Sequence, residues 1–216
     1  MVLTGLRVVS ARLWRETITL MNHDLDEKLN FLRSHGAGTQ RHSGGTLIAH
    51  LLGTRTLLKA WGARPALCDA GLFHSVYGTE SYGAGIIVLE LRPAVRDIIG
   101  KEAEALAFLF GIKKSAAFYP MANVAAAALE LGEGAGRTAT SKLCIEHRLT
   151  SERLLISRQQ LGDLINLTVA NALEQAYRSR LNLDARECEF LMGLSPLALP
   201  RAVRATRHAC RHLSSS

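Results

Sequence analysis

No run of 18 consecutive apolar residues occurs in the 216-residue chain, which excludes a helix spanning the ~30 Å hydrocarbon core of a bilayer. Nor is there a Cys-x-x-Cys pair, because Cys68, Cys144, Cys188 and Cys210 are scattered. A zinc knuckle or a disulfide framework is thereby set aside, and reduced, mostly buried thiols are the expectation. Aromatic residues make up only 6% and prolines number five. There is no internal repeat and no convincing alternating strand. The first twenty residues lack the long apolar core and small-residue cleavage pattern of a secretory signal. Their three arginines against one acid keep an organellar leader as the lesser alternative to a cytoplasmic protein. Met21 would serve equally well as a start.

What is present is a Leu, Ala and Arg-rich chain with 48% hydrophobic content, enough for one sizeable domain and hardly two. Helical spacing recurs along it. Leu25, Leu29 and Leu32 mark a helix over 24–34, and Leu47, Ile48, Leu51, Leu52, Leu57 and Leu58 mark one over 46–61, stopped by Gly62 and Pro65. A short helix covers 66–76, one runs over 93–111, and an Ala-rich one over 120–131. A long one over 152–180 carries the stripe Leu161, Leu164, Ile165, Thr168, Ala172 and Leu173. A short hairpin is allowed near 143–156. The fold class predicted is all-α: an extension over 1–20, one helical domain over 21–195, and a basic helix or tail over 196–216.

The net charge is +7, which favours a small anionic partner. Residues 199–212, "LPRAVRATRHACRH", hold four arginines and no acid. A solvated C-terminal helix is the simpler reading, since no recognition motif or aromatic stacking position supports nucleic-acid binding. The loop "GEGAGRTATS" is not a phosphate-binding loop: Arg137 stands for the lysine, Leu131 for the first glycine, and no strand precedes it. Exposed faces and partner faces look alike on these helices, so a homo-oligomer stays open.

The chemistry-bearing stretch is "DAGLFHSVYGTE", residues 69–80, where His74 closes an apolar run. His50 lies 24 residues earlier, room for two antiparallel helices that bring both rings to one point. His42 precedes them. Neutral imidazole is a common ligand of iron, manganese and zinc, so His42, His50 and His74 are the candidate metal ligands. The plainer alternative is a packed core histidine at each place. Trp61 reads as core, Arg55 and Lys59 as a solvated pair one turn apart, and His147, His208 and His212 as surface positions.

Four stretches in order resemble the HD-domain superfamily, in particular guanosine-alarmone hydrolases of the RelA/SpoT type. "GTLIAHLLGTRTLL" resembles the segment bearing that family's first histidine, and "DAGLFHSVYGTE" its His-Asp helix end. "IIGKEAEALAFLFGIKK" is similar to the helix after the active-site turn, and "LGDLINLTVANALEQ" to the helix bearing the final aspartate. A set of HD-like proteins with His-Ser-x-Tyr-Gly-Thr in place of His-Asp is also similar. The resemblance implies a single HD-like helical bundle and a metal-dependent hydrolase of a small phosphorylated molecule. Its departures are equally plain: Ser75 replaces the aspartate, Gly78 and Thr79 replace an acidic pair, and the last aspartate becomes Asp163 or Asn171.

With those carboxylates lost, His42 would complete a three-histidine site, and Glu80 or Asp163 would act as general base. Tyr77, Thr79 and Asn171 would contact substrate. Ser75 as a nucleophile beside His74 is disfavoured, because adjacent helical residues point ~100° apart. The competing readings are a non-catalytic ligand- or protein-binding module and an iron-dependent oxygenase of HD type.

Overall fold

The computed structural model describes residues 23–42, 44–130 and 143–211. The helices are α1 (23–34), α2 (Leu47–Ala60), α3 (Pro65–Phe73), α4 (Arg92–Ile99), α5 (Lys101–Ile112), α6 (Ser115–Glu130), α7 (Arg158–Ser179), α8 (Ala185–Gly193) and α9 (Pro200–Ala209). Two small antiparallel ladders accompany them: β1 (Arg41–His42) with β2 (Gly45–Thr46), and β3 (Cys144–Glu146) with β4 (Arg153–Leu155). The class is all-α. No helix among the described residues is long and apolar enough to cross a membrane. The extension over 1–20, Met21, the whole "GEGAGRTATS" loop and His212 lie outside the described residues.

α7 is the central helix. It opens on a capping box, in which Ser157 Oγ accepts from the Gln160 N–H at 3.1 Å and Gln160 Oε1 accepts from the Ser157 N–H at 2.9 Å. From Leu161 to Ala170 it is buried on nearly every face, as expected of a helix surrounded by others. α2 and α3 form an antiparallel pair packed on it, joined by four residues, with Pro65 in the first turn of α3 where its missing N–H costs nothing. Leu51, Leu58, Leu72, Phe73, Leu106, Leu164 and Ile165 fill the core between these helices and α5.

The helix expected over 93–111 is two helices, because Gly100 adopts φ +83°, a value that breaks the helical path. α7 begins later than expected, since β4 takes Arg153–Leu155. α6 begins earlier and carries Pro120 inside it. The stretch around His42 forms the β1–β2 hairpin.

Trp61 is core as expected, whereas His147 is buried rather than on the surface, its Nδ1 accepting from the Leu149 and Thr150 N–H groups. The thiols also differ from expectation. Cys188 on α8 and Cys210 just after α9 are joined in a disulfide, while Cys68 and Cys144 are free. Ala202 and Thr206 turn the inner face of α9 toward α7 and α8, and its arginines face outward, so this basic segment is a packed amphipathic helix.

Candidate functional site

His50 sits in the first turn of α2, and His74 is the residue that terminates α3. Because the two helices are antiparallel neighbours, both rings meet in the core, each fully buried. Their Nε2 atoms are 3.1 Å apart. α7 supplies the other side: Asn171 Oδ1 lies 3.0 Å from His74 Nε2, and one turn later Glu174 meets His50 Nδ1. Arg178, a further turn along, binds Glu174 through Nε (2.7 Å) and also donates to the Ala49 carbonyl at 2.7 Å. Three residues of one helix face thus hold the pair in place.

The hydrogen-bond partners decide where the ring protons lie. His74 Nδ1 is 2.8 Å from the Gly71 carbonyl, which can only accept, so Nδ1 carries the proton. His50 Nδ1 faces the Glu174 carboxylate, so it carries one too. Burial, helped by the nearby His50, depresses the His74 pKa to about 3, and that ring is neutral at physiological pH. Burial works against the Glu174 charge, but hydrogen bonds from His50 and Arg178 outweigh it and hold its pKa below the usual carboxylate range.

With both Nδ1 atoms protonated, the two Nε2 atoms present lone pairs to each other. Asn171 Oδ1 adds a third, its orientation set by the Gln175 amide that donates to it at 3.1 Å. A proton on His50 Nε2 would satisfy its contact with His74 and leave the Asn171–His74 contact acceptor to acceptor. A proton on His74 Nε2 would satisfy both contacts but needs an imidazolium that burial disfavours, whereas a cation between the three atoms satisfies them with both rings neutral. The observed N–N separation also matches two imidazoles on one divalent ion, about 3.0–3.4 Å for ligand bonds near 2.1 Å. Both rings have the outer partner that metal-bound histidines use, a carboxylate for His50 and a backbone carbonyl for His74.

The donors that converge are two imidazoles and an amide oxygen. No group of three or more His, Cys, Asp and Glu side chains able to hold a metal occurs among the described residues. His42 reaches the cluster but stacks on His50, with centroids 4.1 Å apart and planes within 13°. Ring lone pairs lie in the ring plane, and nearly parallel planes do not aim at one ion. His42 covers His50 rather than sharing its focus. Tyr82 stacks on its far side at 4.0 Å. Burial, with the neighbouring His50, lowers the His42 pKa to about 4, and neither of its ring nitrogens has a hydrogen-bond partner among the described residues.

A cavity of about 330 Å³ abuts the cluster. Ser75, Phe110 and Asn171 separate it from His74, with the Phe110 ring edge-on to the imidazole at 5.1 Å. Thr79 and Glu80 line it as well. The Glu80 carboxylate accepts from the Ser115 N–H at 2.9 Å, and the Ser115 hydroxyl together with that N–H holds its pKa below the usual value. Tyr77 faces elsewhere: its hydroxyl donates to the buried Glu104 at 3.1 Å, inside an ion-pair cluster with Arg92 and Arg96. Asp163 lies about 12 Å along α7 from Asn171 and binds Arg64. Burial raises its carboxyl pKa against the pull of that arginine. The structure therefore gathers His50, His74, Asn171, Thr79, Glu80 and Ser75, and leaves Tyr77 and Asp163 outside.

Glu174 and Lys113 escaped the sequence reading. Glu174 was legible as the residue one turn after Asn171. Lys113 carried no signal, since a lysine after an apolar run normally ends a helix in solvent. A family model described as a domain of unknown function, DUF6817, matches residues 31–114. No curated protein and no solved structure matches the chain. The matched segment carries His42, His50, His74, Glu80 and Lys113 and stops before α7, which holds Asn171 and Glu174.

Proposed function

We propose that the chain is a metal-dependent hydrolase of HD-like helical type acting on a small anionic phosphoester. The observation that carries this reading is the convergence of three lone-pair donors, His50 Nε2, His74 Nε2 and Asn171 Oδ1, which a cation would satisfy with both rings neutral. Iron, manganese or zinc would be held by those three atoms, with imidazole favouring zinc or iron. Such an ion supplies Lewis acidity and an ionised water near neutral pH.

The chain's own residues have separable tasks. Glu174 and the Gly71 carbonyl hold the two imidazoles in the tautomer whose Nε2 is free. Asn171 belongs both to the cluster and to the cavity wall, so a substrate in the cavity lies next to the donors. Glu80 is the carboxylate of that wall and accepts the proton from the attacking water. Phe110 and Tyr82 limit the water that reaches the histidines.

Metal analysis of the purified protein after incubation with each ion tests this. One equivalent retained through dialysis, lost in His50→Ala and His74→Ala, is expected, together with turnover of 4-nitrophenyl phosphate that disappears with the metal. Absence of bound metal and an unchanged melting temperature with every ion would overturn it. One observation favours a non-catalytic module instead: both histidines are completely buried behind Ser75, Phe110 and Asn171. Metal held firmly without turnover of any phosphoester would select that reading.

A further inference from the structure

Lys113, at the end of α5, is only 7% exposed. Its ammonium lies over the Phe110 ring at 4.1 Å and over Phe118 and Tyr119 at 5.6 Å each. No hydrogen bond or ion pair to Nζ occurs among the described residues. Aromatic faces attract a cation, yet they replace little of the hydration lost on burial. The side chain opens into the cavity beside the histidine cluster. Ser75, Thr79, Thr168 and Gln175 add hydroxyl and amide groups to the same wall. Glu80 is also there, exposed, attracting the ammonium without an ion pair while one carboxylate oxygen accepts from the Ser115 N–H.

A second compartment of about 450 Å³ continues from the first and shares Tyr119, Thr168, Asn171 and Gln175 with it. Its walls combine apolar side chains, Ala172 and Ala176 of α7, Leu183, and Phe190 and Leu191 of α8, with the polar Ser179, Asn182 and Glu187. Tyr119 and Phe190 meet at 4.5 Å between ring centroids. The cleft therefore has a buried cation at one end and a slot with apolar faces from α7 and α8 and a polar rim at the other, with the three cluster donors behind the cation end.

We infer that this cleft takes a phosphomonoester with an apolar or aromatic body, the phosphoryl group on Lys113 Nζ and the body between α6, α7 and α8. The inference rests on the small-anion reading above and names the substrate class. A free phosphate ion would use only the inner half. The ester's own apolar surface would cover the Ala172, Ala176, Phe190 and Leu191 faces of the outer one.

The test is calorimetric titration of the full chain in EDTA, so that it does not depend on metal. 1-Naphthyl phosphate, inorganic phosphate and 1-naphthol are the probes. Naphthyl phosphate should bind at least about tenfold more tightly than phosphate, from burial of its rings. Lys113→Met should weaken both phosphate probes by roughly 10- to 100-fold, the worth of a charged hydrogen bond, and leave naphthol unchanged. Ala172→Trp, which fills the outer slot, should remove the naphthyl advantage and spare phosphate. Unchanged affinity in a folded Lys113→Met protein, equal binding of the two phosphates, or no binding at all would overturn the inference. Failure of the metal reading shows separately, as absence of retained metal with these affinities intact.

Discussion

Gly53 on α2 lies so close to Glu174 on α7 that a Cβ at position 53 would sit 2.5 Å from the carboxylate oxygen and 2.7 Å from Cγ. The carboxylate is clamped by His50 and Arg178 and cannot swing aside without releasing them. Gly53 is one turn after His50, so the missing side chain makes the space through which α7 reaches the imidazole.

Gly53→Ala should therefore invert the usual helix rule. Alanine gains up to about 1 kcal/mol over glycine inside a helix, but overpacking here costs about 1–3 kcal/mol. A lower melting temperature and weaker metal retention are expected, by denaturation and metal analysis. A higher melting temperature would show that Glu174 moves freely and does not position His50.

Lys113 gives a pH signature of the opposite kind. Burial lowers its pKa from 10.5 to about 8 in the folded state. Below pH 8 both states hold the proton and the full burial penalty is present. Between 8 and 10.5 the folded state releases its proton first, so this residue's contribution to stability rises with pH. Lys113→Met should stabilise the protein at pH 7 by no more than about 3 kcal/mol, with the gain gone by about pH 10.5. Denaturant melts of both proteins across that range check it. A pH-independent difference would mean that the ammonium is solvated in the native state.

These two residues show what the sequence could and could not reveal. The helices were legible because Leu and Ala recur at helical spacing, and the His50–His74 meeting followed from two helices separated by one short turn. His42 was the natural third ligand by count, but its ring orientation depends on a two-residue hairpin that no periodicity announces. Asp163 and Asn171 stand on the same helix, and only the approach of α3 to α7 decides which one reaches His74. Tyr77 was drawn into the site by its place in the motif, whereas the buried Glu104 takes its hydroxyl. Pairing of Cys188 with Cys210 needs α8 and α9 side by side, a tertiary fact without a local motif.

That pairing has a measurable consequence. It closes a loop across 22 residues, which limits the unfolded chain by about 3 kcal/mol. Cys210→Ser should lower the melting temperature by roughly 6–12 °C for a chain of this size, with α8 and α9 loosening first. Hydrogen exchange confined to residues 185–209 at low denaturant would report it. Equal melting temperatures for the variant and the parent would indicate that the helices stay packed without the bond.

Asn171 separates a cation from a proton at the histidine cluster. Its amide oxygen is a neutral donor 3.0 Å from His74 Nε2. Asn171→Asp places a full negative charge at nearly the same atoms. Where a divalent ion is shared with His50 and His74, the added charge should tighten metal binding by tenfold or more, an effect of at least about 1.4 kcal/mol. Asn171→Leu keeps the volume and removes the donor, and should release the metal. If the cluster is instead closed by a proton, neither variant changes metal retention. The aspartate would then stabilise an imidazolium at His74, and the histidine would titrate nearer neutrality than the value of about 3 imposed by burial. Metal competition assays and histidine proton resonances followed against pH in all three proteins distinguish the two cases.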